Sequence, residues 1–294
     1  MLTARRAAVI GHPVGHSLSP VLHRAAYREL GLPHTYDAID VPDGGAPELL
    51  ASLDSRWLGL SVTMPHKHAV LAAADTADPL ATVVGAANTV LVTGSGASRV
   101  LVAANTDVHG AAQALRETRA AATAATVGEV AVPRTAVVLG AGGTAAAVLA
   151  ALAELGVTTP VVCVRSQARA AGLLQAAHRM GVDVTLRRFD AAAPLIAGAD
   201  LVVQTAVAVA ADPVATELTT LLRGRRLRPD QTLLYVIYDP WPTDLAAAWS
   251  GSGGAVAPGW LMLLHQAAEQ VRLMTGRPAP VEAMRDALTG ALAG

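Results

Sequence analysis

Short apolar or alternating runs take turns with amphipathic segments along the whole chain. In the first hundred residues this pattern predicts strands over 7–10, 35–41, 58–62, 88–92 and 100–103. The segments between them predict helices over 20–30, 47–53, 66–73 and 80–84. Alternation of strands and helices favours an α/β fold.

Local signals define the ends of several of these elements. Ser19 is predicted to be a helix N-cap, with Pro20 at the first helical position and Gly31 at the C-terminal stop. The Gly94-Ser95-Gly96 segment predicts a turn that joins the last two strands as a pair.

A second series of the same kind follows the first. A helix is predicted over 108–119, and the Ala/Thr-rich stretch up to Val132 is predicted to be a loop or a frayed helix end. Strands are predicted over 137–139, 161–164, 184–187, 201–204, 233–237 and 255–257. Closing helices are predicted over 259–273 and 281–292.

Composition narrows the function classes. The chain has 294 residues and a hydrophobic fraction of 52%, enough for two domains or a single large one. The 22 basic and 23 acidic residues nearly cancel, and no charge block indicates nucleic acid or an anionic membrane as a partner. Cys163 is the only cysteine, which excludes an internal disulfide and agrees with a reducing cytoplasm.

The uncharged segment 135–153 imitates a membrane span in length. It opens with a strand-like run, Val137-Val138-Leu139, and carries glycines next, so strand, turn and helix explain it better. The apolar run after Arg5-Arg6 ends at Gly11-His12-Pro13, too early for a signal peptide. We therefore expect a soluble, cytoplasmic protein without a nucleic-acid or membrane partner, either monomer or homodimer.

A glycine-rich turn separates the strand at 137–139 from an Ala-rich helix. Its sequence, Gly140-Ala141-Gly142-Gly143-Thr144-Ala145, fits the G-x-G-x-x-A pattern of dinucleotide sites. The first glycine permits the tight turn, the second lets the backbone approach a pyrophosphate, and the alanine permits close helix packing. Amides at the helix N-terminus then face the phosphates. A tight turn without a ligand is the alternative.

The next strand discriminates between dinucleotides. NAD sites usually place a carboxylate near its end to bind the ribose hydroxyls, and this chain has none there. Arg165, Ser166 and Arg169 instead offer donors for a 2′-phosphate. We predict NADP; the alternative is a pair of solvated arginines.

Three polar clusters precede the glycine turn: 17–20 (Ser-Leu-Ser-Pro), 63–67 (Thr-Met-Pro-His-Lys) and 105–107 (Asn-Thr-Asp). Their hydroxyls, amide, amine and carboxylate suit a small polyhydroxylated acid. No metal is predicted, because the nine histidines form no ligand spacing with cysteine or carboxylates. Solvated or capping roles are expected for His12, His16 and His23.

The ordered clusters resemble the shikimate dehydrogenase family, NADP-dependent enzymes that interconvert 3-dehydroshikimate and shikimate. The resemblance covers nearly the whole chain, with matching motifs at 11–20, 61–67, 85–89, 105–107, 238–240 and 262–267. It implies a place in the shikimate pathway to chorismate and the aromatic amino acids.

The resemblance also implies residue roles. Lys67 and Asp107 would be the catalytic pair, with the ammonium donating a proton to the carbonyl oxygen that receives hydride. Substrate would be bound by Ser17, Ser19, Ser61, Thr63, Lys67, Asn88, Asp107, Tyr238 and Gln266. Cofactor would be bound by Gly140, Ala141, Gly142, Gly143, Thr144, Arg165, Ser166, Arg169, Thr205, Val236, Gly259 and Met262.

The chain departs from the family pattern at several positions. Ser61 stands where asparagine is common, Val164 where asparagine usually precedes the arginine, and Tyr235 where aspartate is common. The segment Gln204-Thr205-Ala206 replaces the usual Asn-Ala-Thr. None of these changes removes the lysine, the aspartate or the glycine turn.

The resulting expectation is two α/β domains with the active site in the cleft between them. A substrate-binding domain would comprise residues 1–107, completed by helices from 260–294, and a doubly wound Rossmann domain for NADP would comprise 108–259. One rival is an NAD-preferring quinate/shikimate dehydrogenase, against which Ser19 and Arg165 argue. Another is a non-catalytic ligand sensor, against which Lys67 and Asp107 argue.

Overall fold

A computed structural model describes residues 3–124, 131–238 and 241–293 of the chain. The chain divides into two compact units. Unit 1 comprises Met1–Gly110 and Leu263–Gly294, and unit 2 comprises Ala111–Met262.

The N-terminal elements build a mixed sheet with helices. Its strands are β1 (Arg6–Gly11), β2 (Thr35–Asp40), β3 (Trp57–Val62), β4 (Thr76–Ala77), β5 (Thr89–Thr93) and β6 (Val100–Ala104). The helices are α1 (Ser19–Glu29), α2 (Ala46–Ser52), α3 (Lys67–Ala73), α4 (Pro79–Val84) and α5 (Asp107–Ala124). The strand order is β2-β1-β3-β5-β6-β4, and β5 runs antiparallel to both of its neighbours. The predicted strand pair around Gly94 is confirmed as β5 and β6.

The second series forms a parallel sheet. Its strands are β7 (Ala136–Leu139), β8 (Val161–Val164), β9 (Thr185–Arg188), β10 (Leu201–Gln204), β11 (Thr232–Tyr235) and β12 (Ala255–Pro258). Its helices are α6 (Gly143–Glu154), α7 (Ala171–Met180), α8 (Ala192–Gly198), α9 (Asp212–Leu221) and α10 (Asp244–Gly251). The order β12-β11-β10-β7-β8-β9, with every pair parallel, is that of a doubly wound dinucleotide-binding sheet. The chain closes with α11 (Gly259–Thr275) and α12 (Val281–Leu292).

The fold class predicted from the pattern is confirmed: both units are α/β. Each sheet buries its own apolar layer, with Ile10, Leu60 and Val90 at the centre of one and Val202 and Leu233 at the centre of the other. Burial of side chains of this size stabilises a fold by roughly 1.5–3 kcal/mol each.

Several predicted boundaries were wrong. Ser19 is not an N-cap: α1 begins with Ser19 itself, Leu18 holds the cap position, and the Ser19 amide donates to Ser17 Oγ at 3.3 Å. The helix predicted to end at Arg119 continues to Ala124 as α5, because the residues that follow Arg119 are mostly alanines, which have the highest helix propensity. The rest of that stretch, 125–130, lies outside the described residues. β4 escaped prediction because a two-residue strand carries no periodicity.

The segment that imitates a membrane span consists of β7, the glycine turn and all of α6 except its last residue. Among the described residues, no helix combines the length and the apolarity that crossing a bilayer requires.

Candidate active site

Two loops of unit 1 meet at the carboxyl ends of β1 and β3. The His12 amide donates to the Met64 carbonyl at 3.0 Å, and the Thr63 amide donates to the Ile10 carbonyl at 2.9 Å. A Cβ on Gly11 would collide with the Thr63 methyl group, so glycine is needed for this approach. The contact holds Gly11 beside Thr63. Gly11 begins the loop that leads to Ser17 and Ser19.

Lys67 and Asp107, 40 positions apart, form an ion pair. Lys67 Nζ lies 2.5 Å from Asp107 Oδ2, and the two side chains are only 13% and 9% exposed. Each residue is the first of its helix, α3 and α5 respectively. The buried His66 ring, bonded to the Val41 carbonyl at 2.8 Å, fixes the turn that presents Lys67.

Asn88 joins this pair to two further side chains. Its Nδ2 donates to Asp107 Oδ1 at 2.8 Å and to Thr106 Oγ1 at 2.9 Å, and it lies 3.2 Å from Gln266 Oε1. Gln266 on α11 is itself held by a bond from its Nε2 to the Leu263 carbonyl at 3.0 Å. The fold thus brings together the following residues predicted for the site: Lys67, Asn88, Asp107 and Gln266.

Asn105 and Thr106 have positioning roles that sequence reasoning missed. Asn105 Oδ1 accepts from the Asp107 amide at 3.0 Å, and Asn105 Nδ2 donates to the Ala86 carbonyl at 2.7 Å. The Thr106 amide donates to Asn88 Oδ1 at 2.7 Å. The signal was available, since asparagine shortly before a helix commonly accepts from the free amides at its start.

Lys67 is also the only lysine in the sequence, and the other strongly basic side chains are all arginines. A guanidinium does not release its proton near neutral pH, whereas an ammonium does so more readily. The one lysine therefore stands where a proton donor is useful. An ammonium, a carboxylate and two amides at low exposure suit a polyhydroxylated ligand whose oxygen is to be protonated.

Ser61 is turned away from this group. Its Oγ donates to Gln270 Oε1 at 2.7 Å and accepts from the Tyr36 hydroxyl at 2.6 Å. Its single proton is therefore directed at Gln270 and not at a ligand oxygen.

The solvated or capping role expected for His23 was wrong. The ring is fully buried, stacks on Tyr36 with centroids 4.0 Å apart, and contacts Gln270 Oε1 through Nε2 at 3.2 Å. Burial lowers the pKa of His23 to about 3, so the ring is neutral. His12 fits the expectation better, since it is exposed and pairs with Asp40 at 2.8 Å.

In unit 2, the glycine turn follows β7. Gly140 has φ 109°, and a Cβ there would lie 2.7 Å from Thr205 Oγ1, so only glycine is compatible with the turn. α6 begins at Gly143, and the fully buried Ala145 packs this helix against the sheet. The turn and Thr205 follow β7 and β10, neighbouring strands at which the strand order reverses, where doubly wound folds bind ligands.

The segment after β8 is exposed and basic. Arg165, Ser166 and Arg169 are all exposed, and the Arg169 amide donates to the Ser166 carbonyl at 3.3 Å. Arg187 of β9 pairs in register with Cys163 of β8 and adds a further exposed guanidinium on the neighbouring strand. The sequence pattern did not single out Arg187, because its proximity depends on strand pairing.

Gly259 begins α11 close to the chain that leaves β11. A Cβ there would lie 2.6 Å from the Tyr235 carbonyl oxygen, so the helix start requires glycine. β11 ends at Tyr235, two residues earlier than predicted, which leaves Val236 and Tyr238 partly exposed beyond the strand. Met262, one turn into α11, is 5% exposed. Asp239 and Pro240 lie outside the described residues.

Two buried polar atoms of the described residues have no hydrogen-bond partner: Gln204 Nε2 and the Tyr235 hydroxyl. They belong to register-paired residues at the ends of β10 and β11, both positions at which the chain departs from the family pattern. No group of three or more histidine, cysteine or acidic side chains within the described ranges is arranged to hold a metal ion.

Families and proteins of known function match this chain. The sequence model of the shikimate dehydrogenase substrate-binding domain matches residues 9–90, and that of the shikimate 5′-dehydrogenase C-terminal domain matches residues 259–289. A shikimate dehydrogenase (NADP(+)) of Methylobacterium radiotolerans is 37% identical over 98% of either chain. The chain belongs to the shikimate dehydrogenase family.

Solved structures of shikimate dehydrogenases have the same fold. That of Mycobacterium tuberculosis is 40% identical, with a TM-score of 0.82 over 98% of this chain and 99% of that one. That of Thermus thermophilus, solved in complex with NADP(H) and shikimate, is 32% identical, with a TM-score of 0.78 over the same shares. The family and the fold class inferred from the motifs are thereby confirmed.

Proposed function

We propose that this protein is a shikimate dehydrogenase that catalyses the reversible, NADPH-dependent reduction of 3-dehydroshikimate to shikimate. The observation that carries the proposal is the Lys67–Asp107 ion pair at low exposure, with Asn88 bonded to the same carboxylate. The reaction belongs to the shikimate pathway towards chorismate and the aromatic amino acids. Relatives across most of the chain's length carry the name shikimate dehydrogenase (NADP(+)).

Lys67 is the proposed proton donor. NADPH, held by the glycine turn and the basic segment after β8, would supply the hydride for the carbonyl carbon. The Lys67 ammonium donates its proton to the carbonyl oxygen as negative charge develops there, and it takes the proton back in the reverse direction. Asp107 Oδ2 holds the ammonium by the 2.5 Å contact and keeps it directed at one position. Since Lys67 is the only lysine, no other ε-ammonium of the chain can replace it.

Hydroxyl and amide side chains are proposed to orient the substrate. Ser17 and Ser19 bind the carboxylate, while Thr63, Asn88 and Gln266 bind the ring hydroxyls, to which amides offer both donors and acceptors. Tyr238 is proposed to lie against the substrate. Ser61 is not proposed to bind the substrate, because its hydroxyl donates to Gln270 Oε1.

The glycine turn and the basic segment after β8 are proposed to bind NADP. The residues fit a dinucleotide, because the turn packs too tightly against Thr205 for a Cβ at Gly140 and leads directly into the N-terminus of α6. Gly140 to Thr144 cradle the pyrophosphate, and Arg165, Ser166 and Arg169 bind the 2′-phosphate. Thr205, Val236, Gly259 and Met262 are proposed to line the nicotinamide site. We further propose a cytoplasmic location and a monomeric or homodimeric state.

The experiment is an absorbance assay of nicotinamide reduction with purified protein. It offers shikimate or quinate with NADP or NAD, and it includes Lys67→Ala as the control. Rapid turnover with shikimate and NADP alone, abolished in Lys67→Ala, supports the proposal. A preference for quinate or NAD would replace it with the sister activity and refute the argument from Ser19 or Arg165. Binding of NADP without turnover of any pair would favour a ligand sensor.

A further inference from the structure

Behind the candidate site, a chain of hydrogen bonds runs through the core of unit 1 from Tyr36 to Asp107. The Tyr36 hydroxyl donates to Ser61 Oγ, and the Ser61 hydroxyl donates to Gln270 Oε1. Gln270 Nε2 then donates to Thr89 Oγ1 at 2.9 Å, and the Thr89 hydroxyl donates to Asn88 Oδ1 at 3.0 Å. Every donor in this relay points the same way, towards the catalytic carboxylate.

Backbone groups determine the direction of the relay. Gln270 Nε2 also contacts the Asn88 carbonyl at 3.0 Å, and a carbonyl only accepts, so this end of the amide must be the nitrogen. Asn88 Oδ1 faces the Thr106 amide at 2.7 Å, and an amide only donates, so this end of Asn88 must be the oxygen. The remaining end, Asn88 Nδ2, is therefore directed at Asp107 Oδ1.

All the links are buried. Thr89 is fully buried, and Tyr36, Ser61, Gln270 and Asn88 are at most 3% exposed. Water does not compete for these bonds, and a broken link leaves a buried donor or acceptor unpaired, which costs about 1–3 kcal/mol. The relay is thus more rigid than the same hydrogen bonds would be if they were exposed to solvent.

We infer that Thr89 and Gln270 are positioning residues for the reaction: together with the Thr106 amide, they fix the orientation of the Asn88 amide, which holds the Asp107 carboxylate beside Lys67. Ser61 belongs to this relay and does not bind substrate. The inference rests on the proposed function where it speaks of turnover, but the arrangement itself concerns only residues of this chain.

The test compares three single substitutions in strand β5. Thr89→Val removes the hydroxyl but keeps the side-chain shape, Thr89→Ser restores the donor, and Thr93→Val makes the same change outside the relay, at an exposed threonine bonded to the Val100 carbonyl. Loss of one buried link is expected to lower kcat for shikimate about tenfold in Thr89→Val, with KM within about threefold. Thr89→Ser and Thr93→Val are expected to stay within about twofold of the wild type.

A second readout does not need turnover. Because Lys67 is the only lysine, protein labelled with ¹³C-lysine gives one Cε signal in an NMR spectrum without assignment. Thr89→Val is expected to shift or split this signal, and Thr93→Val to leave it unchanged. An unchanged signal in folded Thr89→Val, or a kcat equal to that of the wild type, would overturn the inference.

Two further comparisons separate the alternatives. If the wild type fails to turn over shikimate, the proposed function fails, while the lysine signal still decides whether the relay acts on Lys67. If Thr89→Val does not fold, Ser61→Ala takes its place. As a relay member, Ser61→Ala should lower kcat and shift the lysine signal; a raised KM with unchanged kcat and signal would return Ser61 to the substrate-binding set and overturn the inference.

Discussion

Lys67 Nζ and Asp107 Oδ2 lie 2.5 Å apart at the first residues of two different helices, and both side chains are nearly buried. Such a pair keeps the ammonium directed and limits its exchange with water. The one lysine of the chain is thereby held in the orientation that the proposed proton transfer requires, whereas the other strongly basic side chains of the sequence are arginines.

Charge alone is not expected to replace this lysine. Lys67→Arg keeps a cation beside Asp107, but a guanidinium does not donate its proton near neutral pH. We expect kcat for shikimate oxidation to fall by about 10²–10⁴ in Lys67→Arg, as for the loss of a general acid–base group, and by a similar factor in Lys67→Met. Steady-state kinetics measures both. Activity of Lys67→Arg above a tenth of the wild type would show that electrostatic stabilisation suffices.

Arg165 is expected to select NADP over NAD. Removal of a guanidinium–phosphate contact costs about 1.5–3 kcal/mol, so Arg165→Ala should raise the KM for NADP roughly tenfold or more and leave the KM for NAD nearly unchanged. Arg223→Ala, at another exposed arginine of unit 2, is the matched control. Equal effects of Arg165→Ala on both cofactors would argue against a 2′-phosphate contact.

His23 is expected to make the fold sensitive to acid. Burial lowers its pKa from 6.5 to about 3, so between these values the unfolded state binds a proton that the folded state does not. Above pH 6.5 the ring is neutral in both states and costs no stability. As the pH falls from 6.5 towards 3, proton binding to the unfolded state lowers the free energy of unfolding, with a slope of up to about 1.4 kcal/mol per pH unit from this group.

The measurement is urea unfolding at a series of pH values from 7 to about 4. His23→Gln keeps a donor for Gln270 but does not titrate. The free energy of unfolding of this variant should therefore fall less steeply than that of the wild type as the pH is lowered, because one proton fewer is bound on unfolding. Parallel pH curves for the two proteins would show that His23 does not titrate on unfolding in this range.

The Tyr235 hydroxyl is expected to contribute nothing favourable to stability. It is fully buried without a hydrogen-bond partner among the described residues. Tyr235→Phe removes this group and keeps the ring against Trp241, so the free energy of unfolding should stay the same or rise by about 1 kcal/mol. Thermal unfolding measures the change. Tyr27→Phe, which removes a hydroxyl bonded to His23 at 3.4 Å, should instead destabilise the protein.

The fold was largely readable from the chain because both sheets leave local signals. The strand, turn and helix around Gly140 could be predicted from an apolar run, a group of glycines and an Ala-rich run that follow one another within about twenty residues. The errors occurred where local signals compete or vanish: Ser19 lies inside α1 and not at its cap, and β4 is only two residues long.

The candidate site was readable in part. Lys67, Asn88, Asp107 and Gln266 stand in ordered motifs, and the structure brings these residues together. Ser61 stands in a motif too, yet its hydroxyl points to Gln270, a residue that no motif singled out. A motif indicates which residue types occur, but it does not specify the direction in which a hydroxyl donates.

The sequence by itself determined the α/β architecture, the dinucleotide turn and the family, because these depend on periodicity and on motifs whose residues are neighbours in the chain. Only the tertiary structure decided the partners within the site. Ser61 and Gln270 are 209 positions apart, and Asn88 and Gln266 are 178 apart. A hydrogen bond is set by distance and direction in space, and buried amides take their orientation from backbone groups that the fold places beside them.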